Sequence, residues 1–262
     1  MQRHSLSQYQ IDAFAARPFE GNPAAVCPLD DWLPDDLMQS IAAENNLSET
    51  AFFVPEADGY RIRWFTPTTE VDLCGHATLA TAWVLFNRLR HDGGLIRFRS
   101  RSGPVSVRRD GDKLVLDFPA QPPAPCPVPP ALVESLQKTP DACFRHDDYV
   151  LVYDDESFVR GVTPDLARLA EVECRGVIIT SPSASYDFVA RFFGPRAGVP
   201  EDPVTGSAFT QLAPVWAERL GKTAFSARQV SARGGDVDCE LRGDRVLIAG
   251  TAVCVLEGRL SV

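Results

Sequence analysis

Val71-Asp72-Leu73-Cys74-Gly75-His76-Ala77-Thr78 has an echo further along the chain, Glu201-Asp202-Pro203-Val204-Thr205-Gly206-Ser207-Ala208. Laying Cys74-Gly75-His76-Ala77 over Thr205-Gly206-Ser207-Ala208 also sets Glu70 on Glu201. Phe65-Thr66-Pro67 precedes one copy and Phe193-Gly194-Pro195 the other. A mostly apolar, helix-length run follows each, with Trp83 in the first and Trp216 in the second. The chain therefore reads as two similar halves, each with a polar turn leading into a buried helix, and a site is expected where the halves meet.

Working outward, residues 119–130 (Pro-Ala-Gln-Pro-Pro-Ala-Pro-Cys-Pro-Val-Pro-Pro) divide the two copies. Proline cannot donate a ladder hydrogen bond and favours an extended, stiff spacer. This predicts a lobe over 1–118, a linker over 119–130 and a second lobe over 131–251, with a last strand at about 252–262 completing the first lobe. Strands are predicted at 8–14, 24–29, 50–54, 61–65, 95–98, 105–108 and 113–118, and helices at 34–45 and 76–89. In the second half strands are predicted at 149–153, 177–180, 187–193, 227–232, 237–241 and 245–256. A helix is predicted from Ser207 to about Leu220, kinked at Pro214 and stopped by Gly221. The helices at 76–89 and 207–220 are apolar nearly all round, which implies sheets wrapped around a helix in a mainly antiparallel α+β fold.

Composition excludes several classes. A formal net charge of -9, with no basic run, argues against a nucleic-acid partner. No apolar stretch approaches bilayer length, so no membrane partner is expected. The opening residues 1–5 lack an apolar signal core, and seven cysteines without a Cys-x-x-Cys pair read as free thiols, so a cytoplasmic protein is expected. There is no Gly-x-Gly-x-x-Gly, no phosphate-binding Gly-Lys loop and no Gly-x-Ser-x-Gly elbow. Four well-separated histidines serve metal ligation poorly, and no metal is expected.

Chemistry must then come from carboxylates, a histidine, thiols and helix starts. Gly75 and Gly206 each open a helix, where free N–H groups and the helix dipole suit an anion such as a carboxylate. The competing reading makes the glycines chain-reversal residues and Ser207 an N-cap. Glu49 sits just before an apolar strand, where a carboxylate is costly unless paired, exposed or protonated; an exposed strand end is the plainer alternative. Cys74 lies at a strand-to-helix turn, but Thr205 replaces it in the second copy, so a two-thiol mechanism is incomplete.

Five ordered blocks carry a resemblance to a known family: Phe19–Val26, Asn46–Phe52, Arg63–Pro67, Leu73–Ala80 and Glu201–Ala208. Along nearly its whole length the chain resembles the PhzF family of phenazine biosynthesis. Ser231–Gly235 and the closing 249–258 are similar to its branch of phenazine biosynthesis-like domain-containing proteins. The resemblance implies a diaminopimelate-epimerase-like fold of two pseudo-symmetric lobes, each a mainly antiparallel sheet around a central helix. It implies a cofactor-independent isomerase that shifts a proton between carbons of a small carboxylic acid. Glu49 would carry the proton, with His76 and Asp202 assisting. Asn22, Cys74, Gly75, Thr205, Gly206 and Ser207 would contact the anionic substrate. It also implies a homodimer. Phe209 departs from the expected smaller residue or histidine and is expected to reshape the pocket floor. The rival readings are an amino-acid epimerase built on Cys74, and a binding or scaffold protein on the same fold.

Overall fold

A computed structural model describes residues 5–262 of the protein; the first four, part of the stretch read above for a signal core, lie outside them. The chain forms two compact units, one of residues up to Asp117 together with Ala249–Val262, the other Phe118–Ile248. The first contains β1 (Ser5–Ala13), β2 (Asn22–Pro28), α1 (Asp35–Asn45), β3 (Glu49–Glu56), β4 (Gly59–Phe65), β5 (Glu70–Val71), α2 (Gly75–Asn87), β6 (Leu95–Ser100), β7 (Gly103–Asp110) and β8 (Lys113–Pro119). The second follows with β9 (Ala124–Pro125), α3 (Pro130–Leu136), β10 (Ala142–Arg145), β11 (Tyr149–Val152), α4 (Glu156–Gly161), α5 (Leu166–Leu169), β12 (Val177–Pro182), β13 (Phe188–Gly194), β14 (Val199–Asp202), α6 (Gly206–Leu220), β15 (Ala224–Gln229), β16 (Gly235–Arg242) and β17 (Arg245–Gly250). The closing β18 (Ala252–Ser261) returns to the first unit.

The two sheets share one plan. In the first, β18 pairs antiparallel with β1, and the order continues β2, β3, β4, β6 with alternating antiparallel and parallel partners, then β7 and β8 antiparallel. In the second, β9 pairs antiparallel with β10, and β11, β12, β13, β15 and β16 follow with the same alternation. The repeat seen in the sequence is thus a repeat of topology, strand for strand. This is the diaminopimelate-epimerase-like α+β fold. In the first unit α2 is enclosed as its composition requires: it packs on β1, β2, β3, β7 and β18, and only Trp83, Gly75 and Asn87 escape full burial. Each large apolar side chain so buried contributes roughly 1.5–3 kcal/mol.

A polar clasp accompanies the apolar packing in each unit. Arg63 grips Glu70 with two bonds, Nε to Oε1 at 2.7 Å and Nη2 to Oε2 at 2.8 Å. Arg191 grips Glu201 in the same way at 2.7 and 2.9 Å. Each guanidinium also lies over the next aromatic ring but one, Arg63 5.1 Å from Phe65 and Arg191 4.8 Å from Phe193. The clasp holds the short return strand, β5 or β14, against β4 or β13 and so aims the chain into the helix that follows. The fork geometry of arginine makes such bidentate pairs strong and directional.

Some expectations are corrected. The predicted strand at 245–256 is two strands, broken where Thr251 turns to exchange hydrogen bonds with the backbone of Ala15. The strand predicted at 227–232 runs three residues earlier, because Ser231 turns away to bond the Pro203 carbonyl. Residues 119–130 are no bare spacer: Ala124 and Pro125 pair with β10, and Pro130 opens α3. Helix α6 runs through Pro214 without interruption. Proline cannot donate to the carbonyl of Thr210, and the N–H of Gln121 takes that carbonyl instead at 3.0 Å. No helix among the described residues is long and apolar enough to cross a membrane.

Removing one hand of a buried clasp tests its weight. Arg191 also donates to the carbonyls of Val159 and Val162, so Arg191→Met is expected to lower unfolding free energy by about 1.5–3 kcal/mol in a denaturant titration. A loss below about 0.5 kcal/mol would show the clasp to be dispensable.

Candidate active site

In the first unit the loops deliver four side chains to one spot. The turn leaving α1 is set by Asn46, whose left-handed conformation (φ 48) ends the helix, and by Asn45, which donates to Thr50 Oγ1 at 3.0 Å. This brings Glu49 to the first position of β3. Gly21, at φ +64, has no room for a side chain, since a Cβ would lie 2.1 Å from the Ala13 carbonyl oxygen. That tight loop lays the fully buried Asn22 against α2. Cys74 is the N-cap of α2 and His76 its second residue.

The resulting contacts are short. Glu49 Oε2 stands 2.9 Å from His76 Nε2, with side chains 17% and 6% exposed. The approach is off the line of an N–H···O bond, and neither atom has a hydrogen-bond partner elsewhere in the described residues. On the other edge of the ring, His76 Nδ1 lies 3.3 Å from Asn22 Nδ2 and 3.5 Å from Cys74 Sγ. Burial by itself would lower the His76 pKa, but the facing Cys74 sulfur and Glu49 carboxylate outweigh it and hold it well above 6.5. Burial, then the Glu49 charge, pushes the Cys74 thiol up to about 11. At neutral pH the thiol keeps its proton, and the carboxylate is the partner that favours imidazolium.

Glu49, Cys74 and His76 each offer one donor atom within 4.8 Å of the others, a set of types that could hold a metal ion. Such an ion would have to displace the Cys74 proton. The sequence spacing of histidines gave no hint of this grouping, because it is assembled from two distant loops.

The second unit builds a different half-site on the same plan. Thr205, not Ser207, is the N-cap of α6, and its hydroxyl turns away from the helix to Asp202 Oδ2 at 2.5 Å. This corrects the reading of Ser207 as the cap: Ser207 stands where His76 stands in α2. Neither α2 nor α6 has a side-chain cap. Gln229, which is buried, fixes the turn, accepting from the Thr205 N–H at 2.8 Å and donating to the Asp202 carbonyl at 2.7 Å. Ser207 Oγ accepts from Arg175 Nη1 at 2.9 Å. Arg175 is itself clamped by the carboxylate of Asp148, which is wholly buried and further held by Gln211 Nε2 at 2.7 Å.

Gln229, Arg175, Asp148 and Gln211 escaped the sequence reading. The paired arginines of the fold did carry a signal, since Arg-x-Phe-x-Pro occurs at both 63–67 and 191–195. Phe209 does not reach a pocket floor, contrary to expectation. It is fully buried and packs on Phe188, 6.2 Å between centroids, in the core around Trp216.

The halves differ in one decisive position. Thr50 pairs with Phe65, and Val177 with Phe193. The residue before each of these paired positions is Glu49 in one copy and Gly176 in the other. A Cβ at 176 would lie 2.2 Å from the Phe192 ring. Only one half presents the acid.

The enclosed helices and paired sheets define the class of fold, and comparison with known proteins narrows it. A solved hydroxyproline epimerase from Agrobacterium vitis shares the fold at a TM-score of 0.62 with 9% identity, covering 98% of this chain and 93% of that one. The family model for phenazine biosynthesis-like proteins, PhzC-PhzF, matches residues 11–258, and the chain belongs to that family. An uncharacterized isomerase of Pseudomonas aeruginosa is 56% identical over 255 residues, covering 97% of this chain and 98% of that protein. A crystal structure of a PhzF-family protein from Enterococcus faecalis superposes with a TM-score of 0.97 at 45% identity, covering 99% and 100% of the two chains.

The raised His76 pKa has a sign that can be checked. A group raised on folding stabilises fully below its unfolded value near 6.5, and that contribution disappears as pH rises through the folded value. The His76 ring resonances are expected to titrate above 6.5, and to move down in Glu49→Gln. A midpoint at or below 6.5 in the unaltered protein would remove the charge pair.

Proposed function

We propose that this protein is an isomerase that moves a proton between carbons of a small unsaturated or hydroxy carboxylic acid without a cofactor. Glu49 carries the proton. The observation that supports this most is a part-buried carboxylate 2.9 Å from a buried imidazole, on a frame whose second copy has glycine in the same place. One acid suits taking up and returning a single proton, whereas epimerisation by opposed bases needs one on each side.

The steps follow from the groups present. The Glu49 carboxylate removes a hydrogen from the carbon next to an electron-withdrawing group, and negative charge spreads into that group. The backbone start at Gly75, beside Glu49 and His76, supplies donors for the substrate's anionic oxygens. His76, as imidazolium, balances the Glu49 charge while it is ionised and is held in place by Asn22. In the second unit Asp202, bonded to Thr205, orients the start of α6. Glu49 then returns its proton to a different carbon. The Cys74 thiol, with its pKa near 11, is a poor base at neutral pH, which argues against epimerisation through this sulfur. The PhzF family membership and the isomerase name of a relative 56% identical agree with this reading.

The test uses small unsaturated hydroxy acids in deuterated water, followed by NMR. The unaltered protein is expected to exchange or relocate a carbon-bound hydrogen. Glu49→Gln is expected to lower that rate by ~10²–10⁴ with an unchanged circular dichroism spectrum. Cys74→Ser is expected to stay within about tenfold of the parent. The reverse pattern, activity lost with Cys74 and kept without Glu49, would replace this mechanism with thiol chemistry.

A further inference from the structure

Far along the chain from the Glu49 cluster, two thiols face each other across a strand ladder. Cys126 follows β9, and Cys143 lies on β10. The register of Ala124 with Arg145 and Pro125 with Phe144 extends by one residue, where the Cys126 N–H donates to the Cys143 carbonyl at 3.0 Å. Directly opposed residues at such a hydrogen-bonded position have Cα atoms about 5.5 Å apart, within the span a disulfide bridges. The sulfurs stand 3.4 Å apart. Reaching a bond of about 2.05 Å requires only a small side-chain rotation. Pro125 and Pro127 flank Cys126 and stiffen the segment that presents it.

We propose that Cys126 and Cys143 are a modification site, a dithiol that closes to an intrachain disulfide on meeting a hydroperoxide. The two sulfurs have distinct parts. Cys126 is only partly buried and is the more accessible of the two, whereas Cys143 is buried. Burial and the neighbouring thiol push Cys143 up to about 12, which suits a resolving thiol rather than the first to react. The Cys126 thiolate attacks one peroxide oxygen, the O–O bond breaks, and Cys126 becomes a sulfenic acid while an alcohol or water leaves. The Cys143 sulfur attacks the sulfenic sulfur, the S–O bond breaks, and the hydroxyl departs as water with the Cys143 proton. Two thiols lose two electrons and two protons, and one peroxide gains them. A small thiol reductant reverses the change. The closed bond ties the proline-rich segment to β10 across a separation of 17 residues that contains α3.

The experiment treats the full chain with hydrogen peroxide, blocks remaining thiols and maps the peptides by mass spectrometry. Two of the seven cysteines are expected to be lost together, with a linked peptide joining 126 to 143. Cys143→Ser is expected to leave a Cys126 sulfenic acid that dimedone captures. The linked protein is expected to melt roughly 5 °C above the thiol form, since the bond limits the unfolded chain. Links to other cysteines, or oxidation of Cys126 to the sulfinic acid without a link, would overturn the proposal. A linked form that melts below the thiol form would also overturn it, because the ladder would then be distorted by closure.

Discussion

A helix with no polar side cannot lie on a surface, and in this chain that constraint governs the rest. Helix α2 is apolar in every direction, so strands must enclose it. At its first turn it meets polar groups, and Glu49, Asn22 and Cys74 gather around His76 there. Cys74, Gly75 and His76 stand at that turn, and nine residues of the helix behind them are buried. Burial pushes the thiol up, while the facing Cys74 sulfur and Glu49 carboxylate outweigh burial at the imidazole and raise it. The same enclosure in the second unit, around α6 and Trp216, leaves Gly206 and Ser207 at the corresponding turn.

Much of this was legible in the residues. Periodicity found both central helices, and the written repeat gave the duplicated plan before any strand pairing was known. Gly-Asn-Pro and Asn-Leu-Ser-Glu marked the loops that carry Asn22 and Glu49. Contacts that depend on registers between distant segments were invisible. Nothing in the order of residues says that Gln229 will fasten the turn at Thr205, or that Asp148 will clamp Arg175 beneath Ser207. Phe209 misled for a related reason: its position in the motif suggested a pocket wall, and only the packing of Phe188 and Trp216 shows that its face of the helix turns inward. The short helices α3, α4 and α5 were missed because segments of four to seven residues scarcely generate a periodic pattern.

Similarity of plan and difference of content serve separate ends. The arginine–glutamate clasps, the return strands and the enclosed helices are common to both units, and they are what a stable frame needs. Differences stand at the helix starts and at the start of one strand. Histidine and cysteine in one unit correspond to serine and threonine in the other, and the acid in one unit corresponds to a glycine in the other. A duplicated frame can keep its core while each copy's polar turn takes on its own task.

The glycine at 176 makes that division hard to undo. Phe192 fills the space into which any larger residue would project, so a second acid there would need two coordinated changes, one to empty the niche and one to fill it. Any single substitution at 176 must first displace that ring. The asymmetry of this protein behaves as a ratchet, held by one aromatic ring.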